Sequence, residues 1–241
     1  MTKHIAMWSG PRNISTAMMR SFENRPDTFV SDEPFYGYYL NNTDIEHPGK
    51  KEVLRSMECD WDKVVENITS FSPNGETVWY QKHMAQHNLP GVDLSWTSLV
   101  TNCFLIRDPR EVIISYHKKY EMIRAELLGY PQQLELYRML TEGDCVEPAI
   151  VDAKDILMNP KDILLKLCSA VGIPFRDDML LWPEGPRVTD GVWAKHWYKR
   201  LEASTGFQPY SPPEEEIPHE LEAIYEECLV YYDTLHRRRI Y

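Results

Sequence analysis

Residues 9–16 read Ser9-Gly10-Pro11-Arg12-Asn13-Ile14-Ser15-Thr16 and follow a short apolar run at 4–8. Ser9, Gly10 and Pro11 suit a turn, and a helix is expected to open near Asn13 or Ile14. The first N–H groups of a helix have no internal partner, and the helix dipole is positive at that end. Such a turn can therefore receive an anion. Ser15 and Thr16 would add hydroxyl donors, and Arg12 a cation whose fork suits two oxygens at once. A nucleotide-hydrolysing phosphate loop reads G-x-x-x-x-G-K-[S/T], and this octet lacks its lysine. On these residues alone, an anion site competes with an ordinary strand–turn–helix bearing an exposed arginine.

The elements that must position the loop can be read from hydrophobic patterning. Strands are expected at 4–8 (HIAMW), 28–31 (TFVS), 77–81 (TVWYQ), 103–107 (CFLIR) and 149–153 (AIVDA). Their apolar character is mostly continuous, which fits strands covered on both faces of a parallel sheet. Helices are expected between them. One runs from Ile14 and places Ile14, Met18 and Phe22 on one face. A second follows Asp108 as N-cap with Pro109 at its first position. A third has Asn159 as cap, Pro160 next and Gly172 as terminator. A shorter one is expected around residues 61–68. The alternation predicts an α/β fold, a three-layer parallel sheet flanked by helices. Residues 208–218 are proline-rich. Beyond them Ile217, Leu221, Ile224, Cys228, Tyr232 and Leu235 form a helical stripe, so residues 208–241 are expected to form a linker and a final helix packed on the 1–207 domain.

Composition narrows the partners. The 241 residues are 43% hydrophobic and 12% aromatic, enough for a packed core, and the formal net charge is -11. That balance argues against a general role on nucleic acid or on an anionic membrane. Cys59, Cys103, Cys145, Cys168 and Cys228 are odd in number and scattered, a spacing that supports neither a disulfide framework nor a zinc site. Free thiols and the absence of a signal-peptide pattern at the N-terminus predict a cytoplasmic protein.

A second motif changes the weight of the first. In FLIRDPREVIISYHKKY, Arg107 closes a strand and Ser115 lies two turns into the following helix. Together with residues 9–16, this resembles the sulfotransferase family, whose donor is 3′-phosphoadenosine 5′-phosphosulfate. A third segment, IVDAKDILMNPKDILLKLCSAVGIPF, resembles the late strand and helix of that family. The three motifs occur in order across residues 5–175. The resemblance implies a P-loop nucleoside triphosphate hydrolase-like fold and a first loop that holds the 5′-phosphosulfate. It further implies that Arg107 and Ser115 hold the 3′-phosphate, with no metal required. The missing lysine is then intelligible, because the terminal sulfate carries less charge than a γ-phosphate.

The resemblance also implies a base for the acceptor. Several branches of the family use a glutamate just after the second strand, where this chain has Glu33. Another branch uses a histidine after the third strand within a K-T-H motif. Here that region reads YQKHMAQH, so His83 stays open as an alternative, with Lys82 supporting the sulfate or the leaving oxygen. Arg187, Gly191 and Trp193 occupy the place of the family's late donor-binding loop. The acceptor is expected to be a small molecule. Aromatic residues at 35–60 and 84–98 are expected to wall its pocket. Two other readings stand beside this one. One is a kinase-like enzyme using ATP, with Asp152 as the only tempting metal partner. The other is a non-catalytic nucleotide-binding module of the kind found joined to other enzymes, plant fusions to an aminotransferase-like domain among them.

Overall fold

The computed structural model describes residues 2–120, 122–142 and 146–241. The first half runs β1 (Lys3–Ser9), α1 (Ser15–Glu23), β2 (Thr28–Asp32), α2 (Tyr36–Asn41), α3 (Lys50–Ser56), α4 (Trp61–Ile68) and β3 (Val78–Met84). Then come β4 (Thr101–Ile106), α5 (Pro109–His117), α6 (Ala125–Leu128), α7 (Tyr130–Leu140) and β5 (Ala149–Asp152). The chain closes through α8 (Ala153–Met158), α9 (Pro160–Ala170), α10 (Ala194–Trp197), α11 (Lys199–Glu202) and α12 (Glu222–His236).

The strands form one parallel sheet in the order β2-β3-β1-β4-β5. Alternate residues of β1 enter opposite faces, as the two-residue period of a strand requires. Ile5 and Met7 pack with Met18 and Phe22 of α1 and with Leu164 and Leu167 of α9. Ala6 and Trp8 pack with Val112 of α5, Leu134 of α7 and Tyr232 of α12. Both faces are thus covered, which explains the continuous apolar runs. This is the expected three-layer α/β sheet. β1 is flanked by β3 and β4, so the crossovers diverge there and leave a crevice at the strand C-termini, where such folds bind ligands.

Local signals explain several boundaries. The Asp108 side chain accepts a hydrogen bond from the Arg110 N–H, capping α5 behind Pro109 as expected. Asp60 caps α4 in the same way. Asn159 precedes Pro160 but makes no side-chain cap bond. Beyond α9, Gly172 takes a left-handed φ of 74° and Ile173 N donates to Cys168 O at 2.9 Å. The arginines at 238 and 239 are spent on ion pairs with Glu147 and Asp155. Among the described residues, Cys59, Cys103, Cys168 and Cys228 are free thiols, while Cys145 lies outside them. No helix among the described residues is long and apolar enough to cross a membrane.

Candidate active site

The loop after β1 is shaped by one close approach and two left-handed residues. A Cβ on Gly10 would meet the carbonyl oxygen of Leu128 at 2.1 Å, so only glycine lets the chain pass beneath the α6–α7 turn. Arg12 and Ile14 then take φ values of 64° and 55°. Such conformations cost on the order of 1–3 kcal/mol each in a residue with a side chain. They are held from outside. Arg107 Nη1 donates to Arg12 O at 2.6 Å, and Asn13 Nδ2 donates to Leu105 O at 3.2 Å. Left-handed residues alternating along a turn swing successive N–H groups into one concavity, a nest for an anion. α1 opens directly behind it at Ser15, one residue later than the latest expected start.

Pro11, Arg12, Asn13, Ile14, Ser15 and Thr16 all line a cavity of ≈ 490 Å³. Ser9 and Gly10, also expected to bind the donor, do not line it, and the Ser9 hydroxyl is taken up by His83 O at 3.3 Å. Asn13 is buried, and its Oδ1 has no partner among the described residues.

Arg107 and Ser115 open on the same cavity. Arg12 Nε donates to Ser115 Oγ at 2.8 Å, which joins the opening loop to α5. Arg107 is steadied by Glu111 at 2.8 Å, and its carbonyl accepts from the Tyr130 hydroxyl at 2.8 Å. Lys119 and Arg200 complete a cationic cluster that the sequence reading missed. Burial, and then the neighbouring charge of Arg107, press the Arg12 guanidinium below its ordinary pKa. Burial and Arg12 do the same to Lys119. Crowded cations with lowered proton affinity make a region short of negative charge.

Facing them is a carboxylate cluster at the ends of β2 and β3. Lys82 Nζ lies 2.8 Å from Asp32 Oδ1, 2.5 Å from Glu33 Oε1 and 3.0 Å from the Tyr198 hydroxyl. The Tyr198 hydroxyl donates in turn to Asp32 Oδ2 at 2.7 Å. Burial raises the Asp32 pKa, while the carboxylates outweigh burial for Lys82 and raise its pKa well above the ordinary value. Glu33 is itself left-handed, with φ 49°, and its N–H is pinned to Lys82 O at 2.9 Å. Glu33 and Lys82 both line the cavity. Two carboxyl groups thus share the Lys82 ammonium beside the opening.

His83 sits elsewhere. Its ring stacks on Trp8 at 4.5 Å in the core and does not line the cavity. Burial pushes its pKa down to about 3. The alternation along β3 turns Lys82 toward the cavity and its neighbour away. His87, four residues on, does line the cavity and lies 4.0 Å from Glu33 Oε2.

The late segment divides. Trp193 lines the cavity and its Nε1 donates to the Tyr198 hydroxyl at 3.4 Å. Gly191 stands behind, its N–H 3.4 Å from Asp32 Oδ2, and a Cβ there would overlap the Trp193 ring. Arg187 is turned away. It donates to Pro183 O and faces Glu23, because Asp190 binds its N–H and Arg20 fixes Asp190. Asp152 is also outside the cavity, capping α8 through Lys154 N and accepting from the Tyr232 hydroxyl at 2.9 Å.

Comparison with known proteins bears on the family and the fold. The family model described as Sulfotransferase domain matches residues 3–239. The chain is 36% identical over 231 residues to branched-chain-amino-acid aminotransferase-like protein 2 of Arabidopsis thaliana, covering 96% of this chain and 41% of that protein. Its similarity to the like-named protein 1 is 37% over 203 residues, 84% of this chain and 36% of that protein. The chain thus spans well under half the length of these relatives. Among solved structures, the sulfotransferase domain of the Synechococcus PCC 7002 olefin synthase superposes with a TM-score of 0.58 at 14% identity, covering 98% of this chain and 95% of that one. A sulfotransferase from Alicyclobacillus acidocaldarius superposes at 0.56 and 10% identity, covering 100% and 98%. These structures share the fold. With the family match running from β1 to beyond α12, the chain belongs to the sulfotransferase-domain family.

Proposed function

We propose that this domain moves a sulfuryl group from 3′-phosphoadenosine 5′-phosphosulfate to a hydroxyl or amine of a small molecule. One observation carries the reading. The nest at Arg12–Ile14, the Arg12–Ser115–Arg107 cluster and the Glu33–Lys82 pair all open on a single cavity. A nest of backbone N–H groups and an adjoining cluster of cations suit a donor with two anionic groups. A carboxylate beside them suits the removal of a proton.

Each residue then has a task. The N–H groups of the nest and the start of α1 hold the phosphosulfate. Arg107 and Ser115 hold the 3′-phosphate, with Lys119 and Arg200 adding charge. Glu33 accepts the proton of the attacking hydroxyl as the new O–S bond forms. The old bond breaks in line, and its electron pair stays on the leaving phosphate oxygen. Arg12 lies between the two anion sites, where a guanidinium stabilises that growing charge. Asp32 and Tyr198 fix Lys82, which keeps Glu33 oriented.

The reading is tested by incubating the protein with sulfur-35-labelled donor and a small-molecule extract of the source cells. Label should pass to an extract component in a protein-dependent way. Label that stays with the donor or appears only as inorganic sulfate would refute it.

A further inference from the structure

The chain between α11 and α12 crosses the cavity as a strap. Gly206, Phe207, Gln208, Pro209 and Ser211 line the cavity, whereas Tyr210, in the middle of this run, does not. The Tyr210 hydroxyl turns to α5 instead and donates to Glu111 Oε1 at 2.7 Å. Its ring lies 5.4 Å from Lys154 Nζ, a cation–π distance that steadies it from the side of α8.

Glu111 stands directly behind the Arg107–Ser115 pair. It is buried, and it precedes Ser115 by four positions, so both share one face of α5. Its Oε2 faces Arg107 Nε and Nη2, each at 2.8 Å. Its Oε1 is the atom that Tyr210 reaches. One oxygen of this carboxylate is thus assigned to the arginine and the other to the strap. Arg107 Nη1 is spent on Arg12 O at 2.6 Å. A guanidinium carries five N–H groups, and those not engaged in these contacts are left to a ligand in the cavity. Glu111 sets where they point, and Tyr210 sets Glu111.

Anchoring the strap does not require this bond. A few residues on, Glu215 takes Lys118 Nζ at 2.5 Å on its carboxylate and Arg110 Nη2 at 2.9 Å on its carbonyl. Both contacts are exposed and touch nothing in the cavity. The Tyr210 contact is partly buried and falls on the carboxylate that orients Arg107. Without the hydroxyl, Glu111 Oε1 would be open to the guanidinium. A two-pronged carboxylate–arginine pair would then compete with the bond to Arg12 and turn the fork away from the ligand.

Resting on the sulfuryl-transfer reading above, we infer that Tyr210 is a positioning residue for recognition of the 3′-phosphate. By holding Oε1 of Glu111, it confines Arg107 to the other oxygen and keeps the remaining N–H groups on the phosphate.

The test is a double-mutant cycle read by calorimetry on the whole protein, with adenosine 3′,5′-bisphosphate and adenosine 5′-phosphosulfate as ligands. Tyr210→Phe keeps the ring and removes only the hydroxyl. The bisphosphate should bind it about three- to tenfold more weakly, the scale of one hydrogen bond, and the phosphosulfate less than about twofold more weakly. In an Arg107→Ala background, Tyr210→Phe should add no further loss for the bisphosphate, because the residue through which it acts is gone. Undiminished bisphosphate affinity in Tyr210→Phe would overturn the inference. So would equal losses for the two ligands, which a mere anchor of the strap would give, or a loss that persists in full in the Arg107→Ala background. Failure of the unaltered protein to bind the bisphosphate would instead sink the sulfuryl-transfer reading, and this inference with it.

Discussion

Arg12 Nε donates a hydrogen bond to Ser115 Oγ at 2.8 Å, joining two residues that are 103 positions apart. The bond ties the loop after β1 to the second turn of α5. Arg107 reinforces it by donating to the carbonyl of the same arginine. Two cationic features that are remote in sequence thereby share one wall.

Arg107→Ala should weaken adenosine 3′,5′-bisphosphate by about 10- to 100-fold, the scale of one or two hydrogen bonds to a charged group. Adenosine 5′-phosphosulfate, which lacks the 3′-phosphate, should lose much less. Parallel calorimetric titrations of the two ligands make the comparison. Equal losses would assign Arg107 to shaping the loop and not to the 3′-phosphate.

Glu33→Gln should reduce kcat by about 10²–10⁴-fold, the usual contribution of a positioned base. Donor affinity should change little, since the carboxylate faces the acceptor side. Once a turnover assay exists, unchanged kcat in this variant would remove Glu33 from the mechanism.

Gly10→Ala forces a methyl group onto the Leu128 carbonyl, a backbone atom that cannot step aside. Overpacking of this kind costs about 1–3 kcal/mol, occasionally more. For a chain of this size the melting temperature should fall by roughly 2–12 °C. Donor binding should weaken as the loop shifts. A thermal melt identical to that of the unaltered protein would show that the α6–α7 turn yields freely.

Acidification should destabilise the fold below the ordinary histidine pKa. Burial lowers the pKa of His83 to about 3 and that of His87 well below 6.5. Their folded values therefore lie under their unfolded ones. The stability they confer is complete above pH 6.5 and is lost as pH falls toward the folded values. Each contributes a slope of about 1.4 kcal/mol per pH unit. Urea titrations at pH 7.5, 6.0 and 5.0 should show falling stability, with a shallower slope in His83→Phe. A flat profile would contradict the buried, neutral state of both rings.

Much of the fold was legible because its signals are local. Asp108 and Pro109 announce the start of α5, and the apolar strand runs report burial on both faces. The helices α6 and α7 were not legible. Their apolar residues sit among Glu, Gln and Arg without a cap, and their place is set by the glycine crossing at Gly10 and Gly129. At the site, residues 11–16, Arg107, Ser115, Glu33 and Lys82 gather at one cavity, and each had a motif or position to mark it. Asp32 and Tyr198 had none, because their partnership with Lys82 spans 166 positions between them. Lys119 and Arg200 had no motif to single them out. Arg187, in contrast, occupies an expected place in the sequence but is drawn off by Glu23 and Asp190. His83 is turned from the cavity by the alternation of β3, whereas His87 reaches it from the turn at 85–87.

The central claim is that one cavity grips a doubly phosphorylated adenosine through the turn at Arg12–Ile14 and the Arg107–Ser115 pair. Calorimetry of the protein with adenosine 3′,5′-bisphosphate, in the presence of a metal chelator, tests it most directly against ATP with magnesium. The bisphosphate should bind one-to-one without metal, and ATP–magnesium at least about tenfold more weakly. Preferential binding of ATP–magnesium, or no binding of the bisphosphate, would contradict it.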